Sequence, residues 1–179
     1  MRKSVLMFFV VALVPAMLSF SAYSEQVNQR DPVLQQAMNL AKEKKFTAAI
    51  DTVTQGISSG QMADTYEAHL FLGAVYYKTK DYDDAIQQFT KTTAMQKNSR
   101  MSYWFLGHIY EAKALKVRSR EEKRGLQENA LEAWKNLLLY PRTINSTPTS
   151  QKRINVSVEE SNEQAKKHIK TLQRELQHE

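Results

Sequence analysis

Behind Arg2 and Lys3 runs an apolar stretch, Val5 to Leu18, which gives way to small and polar residues ending in Ser21, Ala22, Tyr23 and Ser24. That order of basic start, short apolar middle and small-residue end predicts a secretory signal peptide over 1–24, cleaved between Ser24 and Glu25. The alternative is an uncleaved membrane anchor. A span takes roughly 20 apolar residues, and this run is shorter and contains Pro15. The expected location is periplasmic or secreted, with an inner-membrane anchor as the alternative.

Beyond this segment, small and large apolar residues alternate at spacings that predict paired helices. Leu72 and Gly73 are followed by Tyr76, then by Ala85 and Phe89. Gly73 lets a second helix approach, Tyr76 fills the space beside it, and Ala85 is the small residue opposite. Asp81, between Lys80 and Tyr82, is placed to cap the second helix of the pair. The same marks return at Leu106, Gly107 and Tyr110, and Gly73 and Gly107 lie 34 residues apart. An earlier unit carries Ala37, Leu40, Ala49 and Val53 at the corresponding places, and Asp31 followed by Pro32 is a start signal for its first helix. The loop around Ser58, Ser59 and Gly60 absorbs its two extra residues.

In the third unit the second-helix marks, Ala130 and Trp134, come late and are followed by Pro141. No Gly or Pro interrupts the stretch before Gly125, so both helices are expected to be lengthened into a protruding hairpin, with an insertion near 111–129. Residues 142–157 are rich in Thr, Ser and Asn and predict a polar linker. A last helix is expected from Ser157, with Glu160 completing a capping box. Val158, Ala165, Ile169, Leu172 and Leu176 recur there at spacings of seven, four, three and four, which is one apolar stripe.

The order Leu-Gly, Tyr, Ala, Phe over a 34-residue period resembles the tetratricopeptide repeat (TPR), a helix-turn-helix unit, and the resemblance covers roughly residues 30–141. It implies an all-α, tetratricopeptide-type stack of about three helical hairpins, at 30–62, 66–99 and 100–141, within a domain spanning 25–141. A stack of this kind leaves an apolar face on its final hairpin, so the helix over 158–179 is expected to cap it; an independent partner-binding helix is the other use for such a stripe. The resemblance also implies that a peptide or partner helix binds along a concave face lined by first helices. Carried over position by position, that face is Leu34, Met38 and Lys42, then Leu70, Ala74, Tyr77 and Lys78, then Trp104, His108 and Glu111. Members of the family that clamp a C-terminal carboxylate use Lys and Asn where this chain has Leu34, Leu70 and Trp104, or Met38, Ala74 and His108. The groove is therefore expected to prefer an apolar or aromatic segment. Tyr77 and Trp104 suit recognition, because aromatic side chains bury much area at little entropy cost, but at the same spacing they could equally be packing residues.

Composition narrows the function classes. With 42% hydrophobic and 25% charged residues the chain is ordinarily globular, and five Gly with four Pro are too few for a many-stranded sandwich. The absence of Cys removes disulfides, thiolate metal sites, cysteine nucleophiles and lipidation at the cleavage junction. The formal charge of +6 raises a nucleic-acid role, which export argues against. Two of those charges lie in the signal, and the remaining excess is matched by residues 113–124, where Lys113, Lys116, Arg118, Arg120, Lys123 and Arg124 stand against two acids. This basic hairpin is either a solvated tip or a docking surface for an acidic protein or an anionic envelope polymer.

Signals for chemistry are sparse. The glycines are too scattered for a phosphate loop, and no Gly-x-Ser-x-Gly elbow occurs. Among His69, His108, His168 and His178 no two lie three or four residues apart, so no single helix face offers a paired-histidine metal site. His69 is expected to be a packing residue and His108 a groove contact. Asp81, Asp83 and Asp84 suit a helix N-terminus better than a calcium loop. Asn145-Ser146-Thr147 and Asn155-Val156-Ser157 are spelled as glycosylation acceptors in the expected linker. The expectation is a protein with no catalytic residues, metal or cofactor, which binds another protein or peptide and no nucleic acid. The oligomeric state is left open.

Overall fold

A computed structural model describes residues 31–140 and 148–178, with side chains from 158 onward in the second segment. The expected export signal, residues 141–147 with the Asn145 triplet, and the side chains of Asn155 and Ser157 lie outside the described residues. Seven helices and no strand occur among the described residues: α1 (Pro32–Lys42), α2 (Phe46–Ser58), α3 (Tyr66–Thr79), α4 (Tyr82–Met95), α5 (Arg100–Ala114), α6 (Arg120–Leu139) and α7 (Pro148–His178). Three antiparallel pairs, α1/α2, α3/α4 and α5/α6, stack in order, and α7 packs against α6. This is the all-α hairpin stack with a terminal cap that the repeat pattern implies.

Local sequence explains the helix ends. Asp31 accepts from the amides of Val33 at 2.8 Å and Leu34 at 3.4 Å, with Pro32 in the first turn, so two orphan donors are satisfied where the start signal stood. The first two hairpins share one turn. Lys44 and Lys80 both take left-handed backbone, at φ 62° and 70°. Lys45 N bonds Leu40 O and Asp81 N bonds Tyr76 O, each at 2.9 Å. Asp81 occupies the cap position of α4, as expected, but makes no capping bond; its Oδ2 instead accepts from the Thr79 hydroxyl at 2.5 Å.

The glycine marks do what their spacing required. A Cβ on Gly73 would sit 2.8 Å from Phe89 Cε1, and one on Gly107 would sit 2.5 Å from Trp134 Cε2. Phe89 and Trp134 are fully buried, so neither ring has room to give way. Ala85 and Ala130, equally buried, hold the matching small positions. Between the second and third hairpins a chain of hydroxyls runs Tyr66, Ser99, Ser102, Thr92, with contacts of 2.8, 2.7 and 2.5 Å. Each buried hydroxyl thereby has a partner, which avoids the cost of an unsatisfied polar group.

Two expectations are corrected. In the third hairpin only the second helix is lengthened: α5 has 15 residues against 14 in α3, whereas α6 has 20 against 14 in α4. The reason is a break at 115–119, where Ser119 caps α6 by accepting from Glu122 N at 3.3 Å. The last helix begins at Pro148, not at Ser157, so 148–157 is helical rather than linker. Proline is favoured in a first helical turn, and no Gly or Pro follows it before 157 to stop the helix.

Candidate functional site

The predicted groove residues divide by repeat. In the first, Leu34 is buried in the core with Ala37, Ala49 and Val53, and is therefore scaffold rather than contact surface. Met38 packs half-buried against the same cluster, and Lys42 is exposed. In the second, Leu70, Ala74 and Tyr77 are half-buried and Lys78 is exposed. Tyr77 lies edge-on to Phe105 with centroids 5.0 Å apart, and 6.2 Å from Tyr82. Its ring belongs to the packing between the second and third hairpins while part of it stays accessible.

In the third repeat the predicted residues are drawn inward. Trp104 stands edge-on to Phe105 at 5.0 Å and to His108 at 4.3 Å. Glu111 Oε1 accepts from Trp134 Nε1 at 2.9 Å and from His168 Nδ1 at 2.8 Å. The His168 ring stacks on Trp134 at 4.6 Å and meets His108 edge-on at 5.4 Å. Burial, reinforced by His168, lowers the pKa of His108 to about 4, so this imidazole is neutral at pH 7. His168, from the terminal helix, is the member of this cluster that sequence spacing missed: it meets Glu111 from 57 positions further along the chain.

The terminal helix is held at several points. Ala165 and Leu172 are buried against Ala130, Trp134 and Leu137, which are members of the expected stripe and of the expected apolar face. Arg100 donates through Nη1 to Leu137 O and Tyr140 O and through Nη2 to Asn162 Oδ1 at 2.7 Å. One guanidinium thus satisfies open carbonyls at the end of α6 and ties α7 to them. Gln127 Nε2 donates to Glu175 Oε2 at 2.8 Å. Between α7 and the third hairpin lies a cavity of about 390 Å³, walled in part by Glu111, Lys123, Gln127, Lys167 and His168.

The basic segment is less free than its sequence suggests. Lys113 pairs with Asp83 at the start of α4, and Lys116 lies over the Tyr82 ring at 4.8 Å. Arg124 pairs with Glu128 one turn on, at 3.1 Å. Arg118 and Arg120 are exposed on the turn and at the start of α6, and Lys123 is half-buried. Exposed pairs of this kind contribute little to stability, yet they reduce the field the segment presents. His69 is the buried packing residue expected, with Nδ1 2.7 Å from Gln88 Oε1. Asp64 Oδ1 lies 2.6 Å from its Nε2 but off the direction of a hydrogen bond, which leaves that nitrogen without a hydrogen-bond partner among the described residues. No described helix is long and apolar enough to cross a membrane.

No family model matches the chain, and no curated protein matches it. Among solved structures it is similar to a thermophilic TPR protein of Thermus thermophilus, at 20% identity and a TM-score of 0.49 over 59% of this chain and 53% of that one. It thus spans about half the length of that protein. It is also similar to the C-terminal TPR-containing domain of an FK506-binding protein of Plasmodium falciparum, at 18% identity and a TM-score of 0.49 over 79% of this chain and 89% of the other.

Proposed function

We propose that the chain is a non-catalytic scaffold or adaptor of the cell envelope that holds an apolar or aromatic segment of another protein against the first helices of its hairpins. The observation that carries this is the surface left by the first two repeats. Met38, Leu70, Ala74 and Tyr77 are half-buried, with exposed Lys42 and Lys78 at their side. The equivalent third-repeat positions His108 and Glu111 are engaged with the terminal helix. An accessible apolar strip on a rigid helical frame suits recognition of a short segment, because little ordering is required of the protein on binding. Placement in the envelope rests on the apolar run at the start of the chain. A membrane-associated role through the basic hairpin is less supported, since Lys113, Lys116 and Arg124 are occupied within the protein.

Ala74→Arg tests the proposal without removing a core side chain. Affinity capture from an envelope fraction with the substituted protein is expected to lose the partner recovered with the wild type, at unchanged helicity by circular dichroism. Recovery of the same partner at the same level would move the site elsewhere.

A further inference from the structure

We propose that His108, Glu111 and His168 form a binding site for one divalent transition-metal ion, with zinc the best suited, which clasps the terminal helix to the third hairpin. The ligand atoms of the three side chains all lie within 4.8 Å of one another. Two imidazoles and a carboxylate are a donor set that binds zinc and leaves a fourth position open. Tetrahedral ligands at zinc distances stand about 3.3 Å apart; Glu111 and His168 are already at 2.8 Å, so only His108 has to approach, by at most roughly 1.5 Å from the 4.8 Å limit. His108 and Glu111 lie on one face of α5, three positions apart, and His168 comes from α7. The set is complete only when α7 is seated.

The surroundings point the same way. Trp134 Nε1 holds Glu111 Oε1 at 2.9 Å, the kind of outer hydrogen bond that orients a ligating carboxylate. Glu111 and His168 face the cavity beside α7, which gives room for a water on the open coordination position. In the wall of that cavity Gln127 is 2% exposed, and its Oε1 is buried with no hydrogen-bond partner among the described residues. A buried acceptor without a donor is unusual, and a water carried by the ion would be the donor it lacks. Lys123 and Lys167 in the same wall oppose a cation, and Glu175 offsets them. Without an ion, the His168–Glu111 contact at 2.8 Å joins the same two helices.

The test uses the full chain without a polyhistidine tag, freed of metal by chelator and titrated with Zn²⁺ by calorimetry and with Co²⁺ by absorption. The expected result is uptake of about one ion per chain, visible bands of four-coordinate Co²⁺, and a rise in melting temperature with Zn²⁺. His168→Ala should abolish uptake. Glu111→Gln, which keeps the side-chain shape should His168→Ala unfold, should weaken it by at least about tenfold. No uptake by the wild type, or uptake unchanged in Glu111→Gln, would overturn the proposal, as would uptake that is lost instead on His69→Ala or His178→Ala.

Discussion

The second and third hairpins solve the same packing problem and then diverge. In each, a glycine on the first helix faces a fully buried ring on the second, Gly73 with Phe89 and Gly107 with Trp134. Phe89 packs only through apolar contact, stacked on Phe105 at 4.7 Å. Trp134 adds a polar handle, an N–H given to Glu111, and a face on which His168 stacks. Positions that in the second repeat are Ala74 and Tyr77 are, 34 residues on, His108 and Glu111. The same face of the repeat stays partly accessible in one hairpin and seats the terminal helix in the next.

Truncating the two rings should produce the largest effects. Removal of a buried aromatic costs about 3–5 kcal/mol, so both Phe89→Ala and Trp134→Ala are expected to lower stability in urea unfolding by that order. Trp134→Ala should cost the more of the two, because it also leaves Glu111 short of a donor. A loss for Trp134→Ala no larger than that for Phe89→Ala would contradict this expectation.

The smallest effects concern the turn that the first two hairpins share and the third lacks. Left-handed backbone costs a residue other than glycine roughly 1–2 kcal/mol. Lys44→Gly and Lys80→Gly should therefore each stabilise by up to about 1 kcal/mol, part of the relief being lost to the entropy of glycine in the unfolded chain. A destabilisation in either would show that the lysine side chain contributes contacts that outweigh the strain.

Much of the frame was legible because it rests on local rules. Small residues opposite large ones at a fixed period located Gly73, Gly107, Phe89 and Trp134, and a seven-four-three-four stripe located Ala165, Ile169 and Leu172 before any contact was known. The start of α1 was legible because Asp31-Pro32 acts within one turn. What escaped depends on contacts between distant segments. Spacing excluded a histidine pair on a single helix, yet His108 and His168 meet because α7 folds back onto α6, a juxtaposition no interval in the sequence encodes. Leu34 fell on a groove position by analogy but is buried among Ala37, Ala49, Val53 and Leu72, contacts between helices that spacing along one helix does not show. The composition of 148–157 suggested linker, whereas helix formation there follows from Pro148 and the lack of a breaker.

Amide hydrogen exchange of the full chain tests most directly whether α7 is an integral cap. If it is, amides of residues 162–175 exchange as slowly as those of 130–137, because the two segments share one buried interface and open together. Exchange in 162–175 at the rate of a free helix, with 130–137 still protected, would contradict the account.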